Sequence, residues 1–510
     1  MRGPALYAAR RASVGPHHRL RIQPRGWDGL SLADDAPIAR YHPLADRAIS
    51  QALRRRADEI EAAFGEIAPT LQELAPRQFA PEFAQVAAET MRARLKLEIP
   101  HAALTASWTA PLDMRALHAR CVLGTFCRLI ERAFDRGLAN LSDGEPADAL
   151  ICRWGFHAVD ITPCADGRLS GVTDYILRVP SSIVAFRESY AGAMFDVDNA
   201  VRHWESVELR RWRDAWPNAA DAPTRYLKIG VYHYSSVAPQ HEGCAAHGSD
   251  ETRAASALLE RLNAFEQAVR ALHGAPASVA TLLVGVDTDT DAIRVHVPDA
   301  SGRMDIRRHV DSGSLYDATS RLPRESAKEA IRDAVAACAG ASADDLETEG
   351  MRWFCGYLLK NNIGQVEAVR DWHQGRYADA GHTERLIVVG DPVDDVQLRN
   401  LAFQAQMRTV EEGADDLDVG IRILRAHHAP HRLPVPVLVH IRFDPRIPGA
   451  FAAAGQHARR LAAAITARHG VLAAQGELVV AAVVRAADGS VLTPIDLTAS
   501  QDDAPPEAHR

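Results

Sequence analysis

Cys164, Asp166 and Arg168 stand at alternate positions in Pro163-Cys164-Ala165-Asp166-Gly167-Arg168, just after the apolar run from Gly155 to Ile161. A thiolate at a strand end can point into a cleft, and the carboxylate and guanidinium that follow can form a fixed ion pair beside it. Alone, such a pattern is weakly specific. It gains force from Val231-Tyr232-His233-Tyr234, which closes a second apolar run, and from His241-Glu242-Gly243-Cys244-Ala245-Ala246-His247-Gly248. Two thiolates, one imidazole and one open position make a tetrahedral catalytic zinc site. Cys164, Cys244 and a histidine supply that set, with His233 and His241 as the two candidates for the imidazole.

Competing chemistries fit less well. A zinc nucleobase deaminase needs His-x-Glu and Pro-Cys-x-x-Cys. Pro163-Cys164 begins that motif, but position 167 is glycine. A cysteine nucleophile paired with histidine leaves Asp166 and Arg168 without a role. Each residue also has an ordinary reading: His233 as a core histidine, Cys244 as a small buried residue, Asp166 with Arg168 as a structural ion pair. Their joint occurrence favours a site. Cys121 and Cys127, among Val122, Leu123 and Phe126, read as core, and Cys152, His157, Cys338 and Cys355 show no ligand spacing. The acidic stretch Val286 to Asp291 lacks the glycine and terminal glutamate of a calcium loop and reads as a turn between strands.

The elements that must position these groups follow from hydrophobic periodicity. Between about residues 37 and 144 the pattern is helical, with Leu53, Ile60 and Phe64 on one stripe, a second helix near Ala84 to Leu97 and a third near Met114 to Leu138. From about residue 145, short apolar runs alternate with amphipathic segments such as Ala254 to His273. The runs are Ala149 to Cys152, Tyr226 to Tyr234, Val279 to Val286 and Leu386 to Val389. This alternation predicts an α/β sheet domain over 145–388. An internal repeat extends it. Tyr226 to His233, a helix ending His273-Gly274 and the strand Thr281 to Val286 are echoed by Val435 to His440, the helix Ala450 to His469, then Gly470 and the strand Glu477 to Val484. A diverged second copy is therefore expected over 389–499. It carries His440 but no cysteine, since none follows Cys355, so no metal is expected there.

Composition bounds the rest. The 510 residues carry a net charge of −8, which gives no general argument for nucleic-acid binding. The chain has no apolar run long enough to span a membrane. Seven scattered cysteines fit a reducing compartment better than a disulfide framework. Arginine far outnumbers lysine and alanine is abundant, as in GC-rich bacterial genomes. The segment 1–36 is expected to be a disordered basic tail, with six arginines and no acid between Met1 and Trp27, and 500–510 a frayed end.

The Cys-x-Asp-x-Arg element, Val231-Tyr-His-Tyr-Ser-Ser, the 241–250 block, the helical N-terminal region and the duplicated half together resemble a known family. They resemble the divergent β-class carbonic anhydrases of the α-carboxysome shell, over nearly the full length. The resemblance implies a helical domain, a β-carbonic-anhydrase-like α/β domain and a shrunken copy without metal. It implies zinc on Cys164, Cys244 and His233, the histidine that ends the strand, with His241 left as a loop residue or proton carrier beside His247. Asp166 would then hold the attacking oxygen and Arg168 would fix Asp166, for reversible hydration of carbon dioxide to bicarbonate. It further implies a homo-oligomer inside the carboxysome of the bacterial cytoplasm, bound by its basic tail to Rubisco and to shell proteins. A different class, an interaction component with an inert zinc site closed by Asp166, is the alternative.

Overall fold

Continuous apolar runs fold here as strands buried on both faces, and the amphipathic segments cover them. The computed structural model describes residues 41–105, 112–135, 155–180, 183–214, 225–274, 279–340, 346–378, 381–393, 396, 398–409 and 413–497. Its first sheet comprises β1 (Ala158–Pro163), β2 (Val184–Arg187), β3 (Tyr226–Tyr234), β4 (Val279–Asp287), β5 (Ile293–His296) and β6 (Val310–Asp311). Their order is β2-β1-β3-β4-β5-β6. β1 to β4 run parallel, and β5 and β6 are added antiparallel. The helix Glu251–His273 packs on β3 and β4, burying Leu258, Leu262 and Phe265. The long helix Leu346–His373 joins the same core through Phe354, Cys355 and Leu358.

The second sheet holds β7 (Leu386–Gly390), β8 (Ala402–Ala405), β9 (Val435–Phe443), β10 (Leu478–Ala486) and β11 (Leu492–Ile495), in the order β11-β10-β9-β7-β8. β7 lies between β8 and β9 as β1 lies between β2 and β3, and β11 returns antiparallel on β10 as β5 does on β4. The repeat read from the sequence is thus a repeat of topology. The helix Ala450–Arg468 occupies the place of Glu251–His273.

The pairing corrects one expectation. In the first sheet Pro163 pairs with Val231, and Cys164 N donates to Val231 O. In the second, Gly390 pairs with His440, and Asp391 N donates to His440 O. His440 therefore corresponds to Val231, not to His233. The positions of Cys164 and His233 are taken in the second copy by Asp391 and Arg442, joined by a 2.6 Å bond from Arg442 N to Asp391 Oδ2. The histidine-ended run misled because β9 continues three residues past His440, through Ile441 and Arg442 to Phe443.

Side chains of the second sheet alternate between two cores, as a period of two requires. Leu386, Val388 and Leu438 face Phe64, Leu71, Met91, Cys121 and Phe126 of the N-terminal helices (Arg47–Gly65, Ile67–Leu74, Phe83–Arg94 and Met114–Asp135). Ile387, Val389, Val437 and Val439 face Leu417, Ile421 and Leu461 of the helices Ala414–His428 and Ala450–Arg468. The expected strand Ala149–Cys152, the basic segment before Tyr41 and the C-terminal tail lie outside the described residues. Strand β7 spans the expected boundary at 388/389.

β3 carries a lysine in its interior. Lys228 Nζ lies 2.8 Å from Asp160 Oδ2, with both side chains buried. Asp160 is its partner in register on β1 and also accepts from Tyr226 Oη at 2.6 Å. Burial pushes the Asp160 carboxyl up, but Lys228 and His203 outweigh it and hold it at about 2. Lys228→Ala should cost about 3–5 kcal/mol of stability in denaturant unfolding, because it strands a buried carboxylate. In the wild type the lowered Asp160 stabilises fully above its unfolded pKa of 3.8, and that contribution is lost as pH falls through about 2.

Candidate metal centre

β1 turns to β2 on one side and has β3 on the other, so a crevice opens at the carboxyl ends of β1 and β3, where open α/β sheets bind ligands. Cys164 is the first residue past β1 and His233 the penultimate residue of β3. Cys244 precedes the short turn Ala245–His247, ahead of the helix Glu251–His273. The sulfurs of Cys164 and Cys244 lie 3.9 Å apart, too far for a disulfide. They and a ring nitrogen of His233 all fall within 4.8 Å of one another, and all three residues are buried. His233 Nδ1 has no hydrogen-bond partner among the described residues, and Nε2 has only the Asp166 carboxylate nearby, at 3.2 Å and without hydrogen-bond geometry. A buried imidazole costs free energy unless something satisfies it, and a cation between two thiols does so. The hydrogen bond to Cys244, then burial, pushes the Cys164 thiol well above its ordinary range, and the same bond lowers Cys244. A metal ion held between them as thiolates would displace the thiol protons.

Cys164 is held from a second direction. Gly192 N donates to its sulfur at 3.2 Å. Gly192 has φ +65, and a Cβ there would stand 2.5 Å from His247 Nε2.

Asp166 and Arg168 form a two-pronged pair: Arg168 Nε donates to Oδ1 at 3.0 Å and Nη2 to Oδ2 at 2.7 Å. Arg168 N adds a bond to Oδ1 at 2.9 Å. Arg168 Nη1 donates to Glu242 O at 2.7 Å, which ties the pair to the loop that carries Cys244. The pair is buried and abuts the candidate metal-binding group, with Asp166 Oδ2 lying 3.2 Å from His233 Nε2. Burial pushes the Asp166 carboxyl up, but Arg168, His382 and His233 hold it well below the usual carboxylate range.

Two residues that the sequence did not single out complete the surroundings. Glu384 Oε1 accepts from Gly167 N at 3.1 Å and binds His382 Nδ1 at 3.0 Å. His382 Nε2 stands 3.4 Å from Arg168 Nη2 and 3.8 Å from Asp166 Oδ2. A Cβ at position 167 would lie 2.1 Å from Glu384 Cγ, so this approach requires glycine. Both residues come from the polar turn before β7, which has no periodicity or ligand spacing to mark it. The structure brings together Cys164, His233, Cys244, Asp166 and Arg168. It leaves His241 exposed on its turn and buries His247 beside Gly192.

Comparison with known proteins gives this geometry its family. Family models of the carboxysome shell carbonic anhydrase match residues 42–134 (N-terminal), 146–382 (catalytic domain) and 383–502 (C-terminal). The carboxysome shell carbonic anhydrase of Halothiobacillus neapolitanus is 40% identical over 500 residues, covering 94% of this chain and 96% of that protein. The chain belongs to the carboxysome shell carbonic anhydrase family. The protein of the same description from Parasynechococcus marenigrum is 41% identical over 476 residues, covering 92% of this chain and 81% of its own length. That from Prochlorococcus marinus strain MIT 9313 is 39% identical over 473 residues, covering 92% and 91%. Membership makes the chain a carbonic anhydrase and implies a metal, and the buried two-cysteine, one-histidine group is a donor set that can hold one. No helix among the described residues is long and apolar enough to cross a membrane.

The support of Cys164 by a left-handed glycine is open to test. Gly192→Ala should cost roughly 1–2 kcal/mol through backbone strain and, by displacing the loop from His247, loosen metal retention. Denaturant unfolding together with metal analysis after dialysis against chelator measures both.

Proposed function

We propose that the chain is a zinc carbonic anhydrase whose metal is held by Cys164, His233 and Cys244, with Asp166 and Arg168 as the catalytic pair. The observation that carries this reading is the buried three-donor group beside a carboxylate gripped on both oxygens by one guanidinium. Two thiolates and one imidazole suit zinc, which in such a site acidifies a water and so supplies the nucleophile for carbon dioxide. Asp166 stays ionised through Arg168. Its Oδ2, the oxygen nearest His233, accepts a hydrogen bond from the attacking oxygen and turns that oxygen's lone pair toward the substrate. Arg168, anchored to Glu242 O, keeps Asp166 from rotating. The alternative, an inert site closed by Asp166, requires this grip to open. Both Asp166 oxygens are engaged by Arg168 here, which favours the active reading.

Zinc content and hydration rate test the assignment. One zinc per chain is expected. Cys164→Ser, Cys244→Ser and His233→Ala should each lose metal and activity, whereas His241→Ala and His440→Ala should keep the metal. Two zincs per chain, or metal loss in His241→Ala with retention in His233→Ala, would contradict it. Asp166→Asn should retain zinc while hydration falls by roughly two orders of magnitude or more, the scale of losing an oriented catalytic group.

The proposed setting is the carboxysome of the bacterial cytoplasm, where the enzyme converts bicarbonate to carbon dioxide for Rubisco. The relatives' descriptions as shell proteins support it. The basic segment Met1 to Trp27 is the proposed tether: six arginines and no acid suit charge-assisted contacts to an acidic groove on Rubisco. Deleting residues 1–27 should leave zinc and hydration unchanged but abolish a salt-sensitive association, since exposed charges are screened within about 8 Å at physiological salt. Biolayer measurements at low and high salt check this. Undiminished Rubisco binding by the truncated chain would assign the tail no docking role.

A further inference from the structure

Past β2 the chain makes a tight turn beside Cys164. Its start is anchored: Tyr190 N donates to Pro163 O at 3.3 Å, and Tyr190 O accepts from Ala165 N at 2.9 Å. Beyond that point Gly192 and Ala193 both take left-handed φ, +65 and +59, a conformation that is costly for a residue with a Cβ. Ala193 N closes the turn on Tyr190 O at 2.8 Å, but that bond does not fix how the turn lies on Cys164. The orientation matters, because it aims Gly192 N at the Cys164 sulfur, 3.2 Å away.

A hold from outside the turn comes from the second half of the chain. Gln406 N, just past β8, donates to Ser189 O at 3.1 Å. Two residues on, Ala191 N donates to Asp416 Oδ2 at 3.0 Å. Asp416 lies in the first turn of the helix Ala414–His428. Gly413, with φ +82, starts that helix so close to Gln406 that a Cβ there would stand 2.1 Å from Gln406 O. Burial, with Asp415 beside it, outweighs the Ala191 bond and raises the Asp416 carboxyl to about 6. Its ionised form therefore costs folding stability, a cost that develops as pH rises from 3.8 and is complete above about 6. The charge does not stabilise the fold; what the acid contributes is the position of an amide.

We propose that Asp416 is a positioning residue of the metal centre: by gripping Ala191 N it keeps Gly192 N on the Cys164 sulfur, and so sets how firmly the site retains its ion. This rests on the zinc reading above. A thiolate that accepts an N–H bond is fixed in direction and tuned as a donor, as metal ligands are by their outer partners. With the acceptor gone, the turn is free to swing and its amide leaves the sulfur. Asp416 belongs to the segment matched by the C-terminal family model, so the half without cysteines helps to keep the metal of the other half.

Zinc transfer to a chromogenic chelator and the absorption of the cobalt-substituted protein test this on the full chain. Asp416→Leu removes the acceptor at similar size. It should release zinc roughly tenfold faster or more, the scale of losing an outer partner of a metal ligand. Its sulfur-to-cobalt band should move to longer wavelength, because the sulfur lone pairs lose a stabilising donor. Asp416→Asn keeps an acceptor oxygen and should hold both readouts near wild type, and Asp415→Ala, at the exposed neighbour, should change neither. Ala191→Pro removes the donor instead, at a position that extended Tyr190 (φ −132, ψ 149) leaves open to proline. It should match Asp416→Leu and add nothing to it in the double variant. The proposal is overturned if Asp416→Leu and Ala191→Pro keep wild-type release and spectrum, or if their effects add. It is equally overturned if Asp416→Asn or Asp415→Ala releases zinc as fast as Asp416→Leu. A wild-type cobalt protein without a sulfur-to-metal band would instead refute the zinc reading, so the two failures are distinguishable.

Discussion

The parallel register of β1 on β3 sets every distance in the site. Ala158 through Pro163 pair residue for residue with Tyr226 through Val231, and Cys164 N continues the ladder to Val231 O. This alignment delivers a thiol and an imidazole, separated by a long stretch of chain, to one edge of one sheet. A slip by one residue would turn His233 to the opposite face and separate it from Cys164. Asp160 and Lys228, paired across the same two strands, fix that register with an interaction that no shifted alignment retains. Cys244 then needs only a loop that returns to the crevice, which the bond from Arg168 Nη1 to Glu242 O secures.

The second sheet explains how a short, irregular segment becomes a rigid one. Residues 164–168 follow β1 without a strand partner of their own beyond the single bridge to Tyr190. Instead Gln404 N donates to Ala165 O, Asn400 N donates to Gly167 O, and Glu384 Oε1 accepts from Gly167 N. The copy without cysteines thus serves as a wall for the site of the other. Its own equivalent crevice holds Asp391 and Arg442 where the first copy has Cys164 and His233. The Asp391 carboxylate accepts from the backbone N of Arg442 while the Arg442 guanidinium turns to Ala487 O, and neither side chain is a soft donor to a zinc ion.

Much of this was legible because the physics was local. β3 was read from the sequence to its last residue, since its nine consecutive buried positions are mostly apolar. The helix Glu251–His273 stops where Gly274 adopts φ 80, as the His-Gly signal implied. The motif residues were visible because their types are rare together. What was not legible depends on contacts across the chain. β2 and β8 are four-residue strands at sheet edges, too short for periodicity to mark. His382 reaches Arg168 across 214 residues of sequence, from a turn whose composition suggests only a connection. The exchange of His440 for Arg442 as the counterpart of His233 needed the hydrogen-bond register, which an apolar run ending on histidine does not encode.

The central claim is that two cysteines and one histidine of the first sheet hold a single zinc with one position left for water. X-ray absorption at the zinc edge of the purified, metal-loaded protein reads that directly. The expected spectrum has two sulfurs at about 2.3 Å and two nitrogen or oxygen neighbours at about 2.0–2.2 Å, one of them imidazole. A shell of nitrogen and oxygen alone, or of three or more sulfurs, would contradict it.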